Sequence, residues 1–177
     1  LATAGYVGHM WELYAMWSTI GLFFAEATRR HDAPAILAPL LAFMVIAMGA
    51  LGSVVAGIRA DQVGRARVAM VALAVSGSCA LVIGASLRVS LAVTVIVALI
   101  WGVSVVADSA QFSACVADLS PREYVGTAVT LQTAAGFLLT MLTIHLVPGW
   151  AGRWGWEWAY LPLAAGPAFG IVAMGRL

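Results

Sequence analysis

Gly57-Ile58-Arg59-Ala60-Asp61-Gln62-Val63-Gly64-Arg65-Ala66-Arg67 is a short charged break between two long apolar runs. Its chemistry suits a tight connection between two helices. Gly57 lets neighbouring helix backbones approach, and Gly64 permits a turn that a side chain would obstruct. Asp61 can accept hydrogen bonds from nearby arginines or from a helix N-terminus. Arg65 and Arg67 can hold the turn at an anionic membrane leaflet. A helical hairpin with a basic turn is therefore the first expectation.

Reading outward, the 177 residues are 63% hydrophobic and 10% charged, with mean hydropathy +0.98. Soluble domains carry about 25% charged residues, so a water-soluble fold is excluded. The charged residues comprise nine arginines, eight acids and no lysine, for a net charge of +1. That balance offers no basic patch for nucleic acid. All the charges except Glu12 and Asp108 fall in short polar breaks. Cys79 and Cys115 lie in apolar runs and read as small buried hydrophobes, without disulfide or metal-site spacing. The start at Leu1, with no initiator Met, is read as a processed end or as part of a longer chain.

The breaks leave six apolar segments, at about 3–25, 35–58, 68–87, 91–117, 124–147 and 158–175. The expectation is an all-α integral membrane protein, with residues 1–177 forming a single six-helix transmembrane bundle. Helices satisfy their own backbone in hydrocarbon, and the alternation of barrel strands is absent. Pro34, Pro121 and Pro148 punctuate the loops. Gly49, Ser53 and Gly57 form a small-residue stripe on helix two, matched by Ser76, Ala80 and Gly84 on helix three and by Gly166 and Gly170 on helix six. Such stripes bring helices together in lipid. Trp150, Trp154, Trp156 and Trp158 crowd one break as an interfacial belt.

Polar residues within the apolar segments mark candidate function. His9 and Glu12 share a face of helix one, and Asp108 and Gln111 share a face of helix four with Ser104 one turn earlier. A carboxylate in hydrocarbon is costly unless paired or wetted, so Glu12 and Asp108 are expected to line a solute or proton pathway or to hold a structural pair. An imidazole is the side chain best suited to relaying protons, so His9 suits proton coupling. Thr130, Thr133, Thr140 and Thr143 on helix five read mainly as packing. Gly102-Val103-Ser104 invites comparison with an intramembrane serine protease, but Ser104 and His145 differ in depth. His9-x-x-Glu12 is not a zinc motif. No catalytic residue, metal or cofactor is expected.

The loop at Gly57, Asp61, Gly64, Arg65 and Arg67 resembles the signature joining the second and third helices in each half of the major facilitator superfamily, Gly-x-x-x-Asp-(Arg/Lys)-x-Gly-Arg-(Arg/Lys). Gln62 replaces the usual basic residue, and Arg67 falls one place late. The resemblance implies a cytoplasmic loop, which arginine counting leaves open at five against four. It also implies that the six helices are one half of a twelve-helix transporter. The absence of an arginine in residues 91–117 and the run Gly155 to Trp158 resemble a C-terminal half, whose N-terminal half would be its missing partner. The run of residues 8–17 and Gly126-Thr127-Ala128 are similar to nitrate/nitrite- and cyanate-type permeases. The function so implied is secondary active transport of a small molecule or ion by alternating access, with protons as a candidate coupling ion, in the plasma membrane, here a bacterial inner membrane. The alternative is a six-helix non-catalytic membrane subunit acting as a dimer.

Overall fold

The computed structural model describes residues 1–177 as an all-helical chain. Eight α-helices make six consecutive segments. The first three are α1 (Ala2–Arg30), α2 (Leu37–Val63) and α3 (Arg65–Ser86). The fourth is α4 (Leu91–Ala107) followed by α5 (Ser109–Leu119), and the fifth is α6 (Val125–Trp154). The sixth is α7 (Trp156–Ala159), a 3-10 turn at Leu161–Ala164, and α8 (Ala165–Met174).

Four helices are long and apolar enough to cross a membrane: Leu37–Val63, Arg65–Ser86, Leu91–Leu119 taken through its break, and Arg122–Trp154. The first segment is diluted by His9, Glu12 and the charged turn at Glu26, Arg29 and Arg30. The last is interrupted by its 3-10 turn. All six segments nevertheless pack into one multi-pass bundle. In it α1 touches α2, α6 and α8, while α4 lies against both α2 and α3.

Several boundaries differ from the sequence expectation, each for a local reason. α1 continues to Arg30 because Glu26 pairs with Arg29 and Arg30 one turn on, which supports the polar end of the helix. α2 runs through Arg59 and Asp61 to Val63, so the charged loop shrinks to a single residue, Gly64, with φ +94°. That conformation favours glycine, which has no Cβ to clash. Pro148 lies inside α6 instead of in a loop, and its missing N–H costs the helix one bond near its exposed end. Trp150 and Trp154 therefore stand on the last turns of α6, with rings stacked at 6.2 Å. The fourth segment is broken at Asp108, with no proline or glycine at the break.

The predicted small-residue stripe on α2 is corrected in register. A Cβ at Gly57 would meet nothing, and Ser53 is exposed. Close approach instead uses Gly49 and Gly52, three residues apart. A Cβ at Gly52 would collide with the Val103 carbonyl, and one at Gly102 with the Val45 carbonyl. α2 and α4 therefore meet backbone to backbone. α1 and α8 do the same where Gly8 and Gly166 each face the other's carbonyl. Without apolar solvation to drive association in lipid, such close van der Waals contact holds the bundle together.

At the end remote from Gly64, Arg30 bridges Glu26 on its own helix and Glu157 of α7. The hydrogen bond from Arg30 holds the Glu157 carboxyl below its ordinary value of 4.5. A depressed carboxyl contributes stability above its unfolded pKa and loses it as pH falls through the folded value. The detergent unfolding midpoint of the wild type is expected to exceed that of Glu157→Gln above about pH 4.5, with the gap closing as pH drops below it. A constant gap across that range would show that the ion pair contributes nothing. The glycine register gives a second expectation. Gly52→Val lowers the unfolding midpoint sharply, whereas Gly57→Ala leaves it unchanged or raises it, since alanine is favoured over glycine in a helix by about 0.5–1 kcal/mol.

Candidate functional site

α1 presents His9 and Glu12 toward the fourth segment, and both are 1% exposed. The two residues are bound at different levels, because α1 and α4 run antiparallel. Glu12 meets α4 one level up. Trp101 Nε1 donates to Glu12 Oε1 at 2.6 Å, and Ser76 Oγ of α3 donates to Oε2 at 2.9 Å. Both carboxylate oxygens are thus satisfied by donors on two other helices. This is the condition under which hydrocarbon tolerates such a group. Trp101 is itself fully buried and stands edge-on against Tyr160, ring centroids 5.1 Å apart. Thr19 donates to the Ala15 carbonyl, so the 2.9 Å contact between Thr19 Oγ1 and Tyr160 has the phenol as donor.

His9 lies lower, against the break in the fourth segment. Its Nδ1 is 2.9 Å from Asp108 Oδ1, and its Nε2 is 2.8 Å from Ser109 Oγ. The ring's N–H does not point along the line to Asp108, so Oδ1 is in ion-pair contact but accepts no aligned hydrogen bond. Ser109 Oγ donates to Nε2 or accepts from it, as the ring tautomer sets. Tyr6 and Phe112 flank the ring, with centroids 5.9 and 5.6 Å away, and shield the pair. The backbone serves the same place. The Asp108 carbonyl accepts from the amides of Gln111 and Phe112 as α5 starts, so the break leaves that carbonyl paired.

The sequence-predicted residues therefore divide. His9, Glu12 and Asp108 gather on facing surfaces of α1 and the fourth segment. Gln111 is buried on α5 beyond the break, with its carbonyl oxygen unpartnered, and it joins neither His9 nor Glu12. Ser104 bonds back to the carbonyls of Ile100 and Trp101 of its own helix. His145 does likewise with Met141. Thr140 and Thr143 are buried on α6, while Thr130 is exposed.

The loop motif lies at the end of the bundle, away from this cluster. Arg65 donates to Asp118 Oδ2 at 3.0 Å, tying the start of α3 to the end of α5. Asp61 is exposed and has no ion-pair partner, so the arginine contact expected for it goes to Asp118 instead. Gly57 has no close neighbour and Arg67 is exposed.

Trp101, Ser76 and Ser109 are the partners that sequence reasoning missed. Trp101 sits within an apolar run, and Ser76 is one of a stripe of small residues. The available signal was that an intramembrane carboxylate must find donors at its own depth. Trp101→Phe keeps most of the ring volume and strands Glu12 Oε1. It is expected to cost about 1–3 kcal/mol, read as a lower unfolding midpoint in detergent. The penalty should largely vanish in a Glu12→Gln background, because an amide side chain needs the indole donor less. Equal penalties in both backgrounds would refute the bond as a stabilising contact.

No family model and no curated protein matches the sequence. Two solved structures match the fold. One is the major facilitator superfamily proton:xylose symporter XylE bound to 6-bromo-6-deoxy-D-glucose, with TM-score 0.73 and 14% identity over 99% of this chain and 44% of that one. The other is the inward open conformation of the xylose transporter XylE from E. coli, with TM-score 0.75 and 12% identity over 99% of this chain and 47% of that one. The chain spans about half the length of the structures it matches. What is shared at this identity is architecture, and on it the chain has the fold of one six-helix half of a major facilitator superfamily transporter.

Proposed function

We propose that the protein is a secondary transporter of a small solute, working by alternating access in a bacterial inner membrane. In this reading the six helices are one half of a bundle that rocks about a mid-membrane site. The observation that carries the proposal is the buried His9–Asp108 contact at a helix break, one level below the fully bonded Glu12. Ionisable side chains at membrane depth are where transporter sites form. Asp108 lies ten residues before Asp118 at the end of the bundle, ~15 Å along the segment and so near mid-membrane.

The two carboxylates have different parts in this mechanism. Asp108 Oδ1 has no hydrogen-bond partner, so it can take up a proton without displacing a donor, and the His9 imidazole 2.9 Å away can relay that proton once the ring turns into line. Protonating Glu12 turns one of its oxygens into an O–H donor and weakens the bond from Trp101 or Ser76, which links its charge state to the contact of α1 with α3 and α4. Gln111 offers an unpartnered carbonyl oxygen to a solute with a donor group. The solute is a small polar molecule or ion. Nitrate and cyanate enter by resemblance of sequence, and a sugar by the xylose transporters that share the fold.

The test uses the full-length protein in sealed vesicles, with inward gradients of nitrate, cyanate or D-xylose imposed in turn and proton uptake followed by a pH dye. At least one solute is expected to drive proton uptake. Asp108→Asn abolishes the coupling, and Glu12→Gln reduces it at least tenfold. Coupling unchanged in both variants would overturn the assignment of the site.

A further inference from the structure

A second feature, separate from the buried cluster, lies on the outer surface between α2 and α3, floored by α4. It is a groove of about 660 Å³. Ala56, Ala72 and Ala107 pack together at its base, where larger side chains would fill it. Val55, Val71 and Ile100 form walls that are 48%, 64% and 47% exposed. Two arginines stand at its mouth, Arg59 from α2 and Arg67 from α3, on either side of the Gly64 turn.

The charge at that mouth is uncompensated. Of the three arginines around the turn, only Arg65 has a carboxylate partner, Asp118. Arg59 reaches only the neutral Gln62 side chain, at 3.3 Å, and Arg67 pairs with no acid. Asp61 lies two residues beyond Arg59, which is about 200° around the helix and away from the groove. The apolar part runs from Arg67 to Val75 on α3, eight residues or ~12 Å. That approaches the depth of one leaflet, half of a hydrocarbon core ~30 Å thick. The polar end is at the helix termini and the apolar end points to the membrane centre.

We propose that this groove is a binding site for an anionic phospholipid. One acyl chain lies over the alanine floor between α2 and α3, and the phosphate is held between the guanidiniums of Arg59 and Arg67. Paired arginines suit a phosphate because each can give two parallel N–H bonds. A zwitterionic lipid would place its own cation against the same arginines, so the site discriminates by headgroup charge. The inference rests on the membrane setting and does not depend on transport. Ala107 and Ser104, which line the groove, are one and four residues from Asp108, so an occupied groove also buttresses the break in the fourth segment.

The test is native mass spectrometry of the detergent-purified full chain, with equal amounts of phosphatidylglycerol or phosphatidylcholine added back. The wild type is expected to retain the anionic lipid on the order of tenfold better, as two basic contacts predict. Arg59→Gln combined with Arg67→Gln removes the preference. Arg122→Gln, an equal change in charge per site at the same end of the bundle, leaves it intact. Val71→Trp, which fills the groove from an exposed wall, lowers retention of both lipids. Equal retention by the wild type, an unchanged preference in the double variant, or the same loss in Arg122→Gln would overturn the site. So would a dimer mass abolished by Val71→Trp, which would identify the occupant as a second copy. All of the substituted side chains are exposed, and circular dichroism confirms that each variant is folded before the comparison.

Discussion

The bundle is organised around a carboxylate that hydrocarbon does not tolerate alone. Glu12 takes one donor from Trp101 on α4 and one from Ser76 on α3, so a single side chain of α1 fixes the positions of two other helices. Losing either donor leaves a buried carboxyl oxygen in a medium that offers no replacement. The Trp101 indole is in turn held against Tyr160, whose hydroxyl bonds Thr19 back on α1. The last segment is thereby tied to the first. Polar order of this kind specifies the arrangement more sharply than apolar contact, since lipid competes with leucine or valine but not with an N–H donor.

Around this frame the helices approach as closely as their backbones allow. Gly52 against Val103, Gly102 against Val45, and Gly8 against Gly166 leave no room for a Cβ. These contacts join α1 to α8 and α2 to α4. The remaining surfaces of α2 and α6 carry large apolar side chains outward, among them Phe43, Val54, Leu131 and Leu138. The inside of the bundle thus combines glycine contacts and bonded polar groups with large apolar side chains such as Trp101, Phe23 and Phe24, and large apolar side chains also cover the outside, where lipid is the solvent.

Much of the helical layout was legible from runs of apolar residues separated by charges, because backbone hydrogen bonding in hydrocarbon admits almost nothing else. The turn at Gly64 was legible as well, since only glycine is at ease at φ +94°. The break at Asp108 was not, because no proline or glycine marks it. It coincides with a buried side chain whose partner, His9, is 99 residues earlier in the chain. The register of the α2 stripe was misread for a related reason. Spacing by four picks out Gly49, Ser53 and Gly57, and spacing by three then four picks out Gly49, Gly52 and Ala56. Only the position of α4 distinguishes the two. His9, Glu12 and Asp108 stand out in sequence by their cost in lipid. Their donors do not, because tryptophan and serine are unremarkable in a membrane helix until packing brings them to a carboxylate.

α6 meets the rest of the molecule along one narrow line: Gln132, Gly136, Thr140, Thr143 and Val147. Its other faces are occupied by exposed apolar side chains, so its residence in the bilayer owes little to its neighbours. Such a helix can enter lipid during synthesis on its own partition energy and dock against α1 afterwards. Pulled from the C-terminal end by an atomic-force tip, once α7 and α8 have been drawn out, it should come away in a step of its own, at low force, before α1 to α4 yield together.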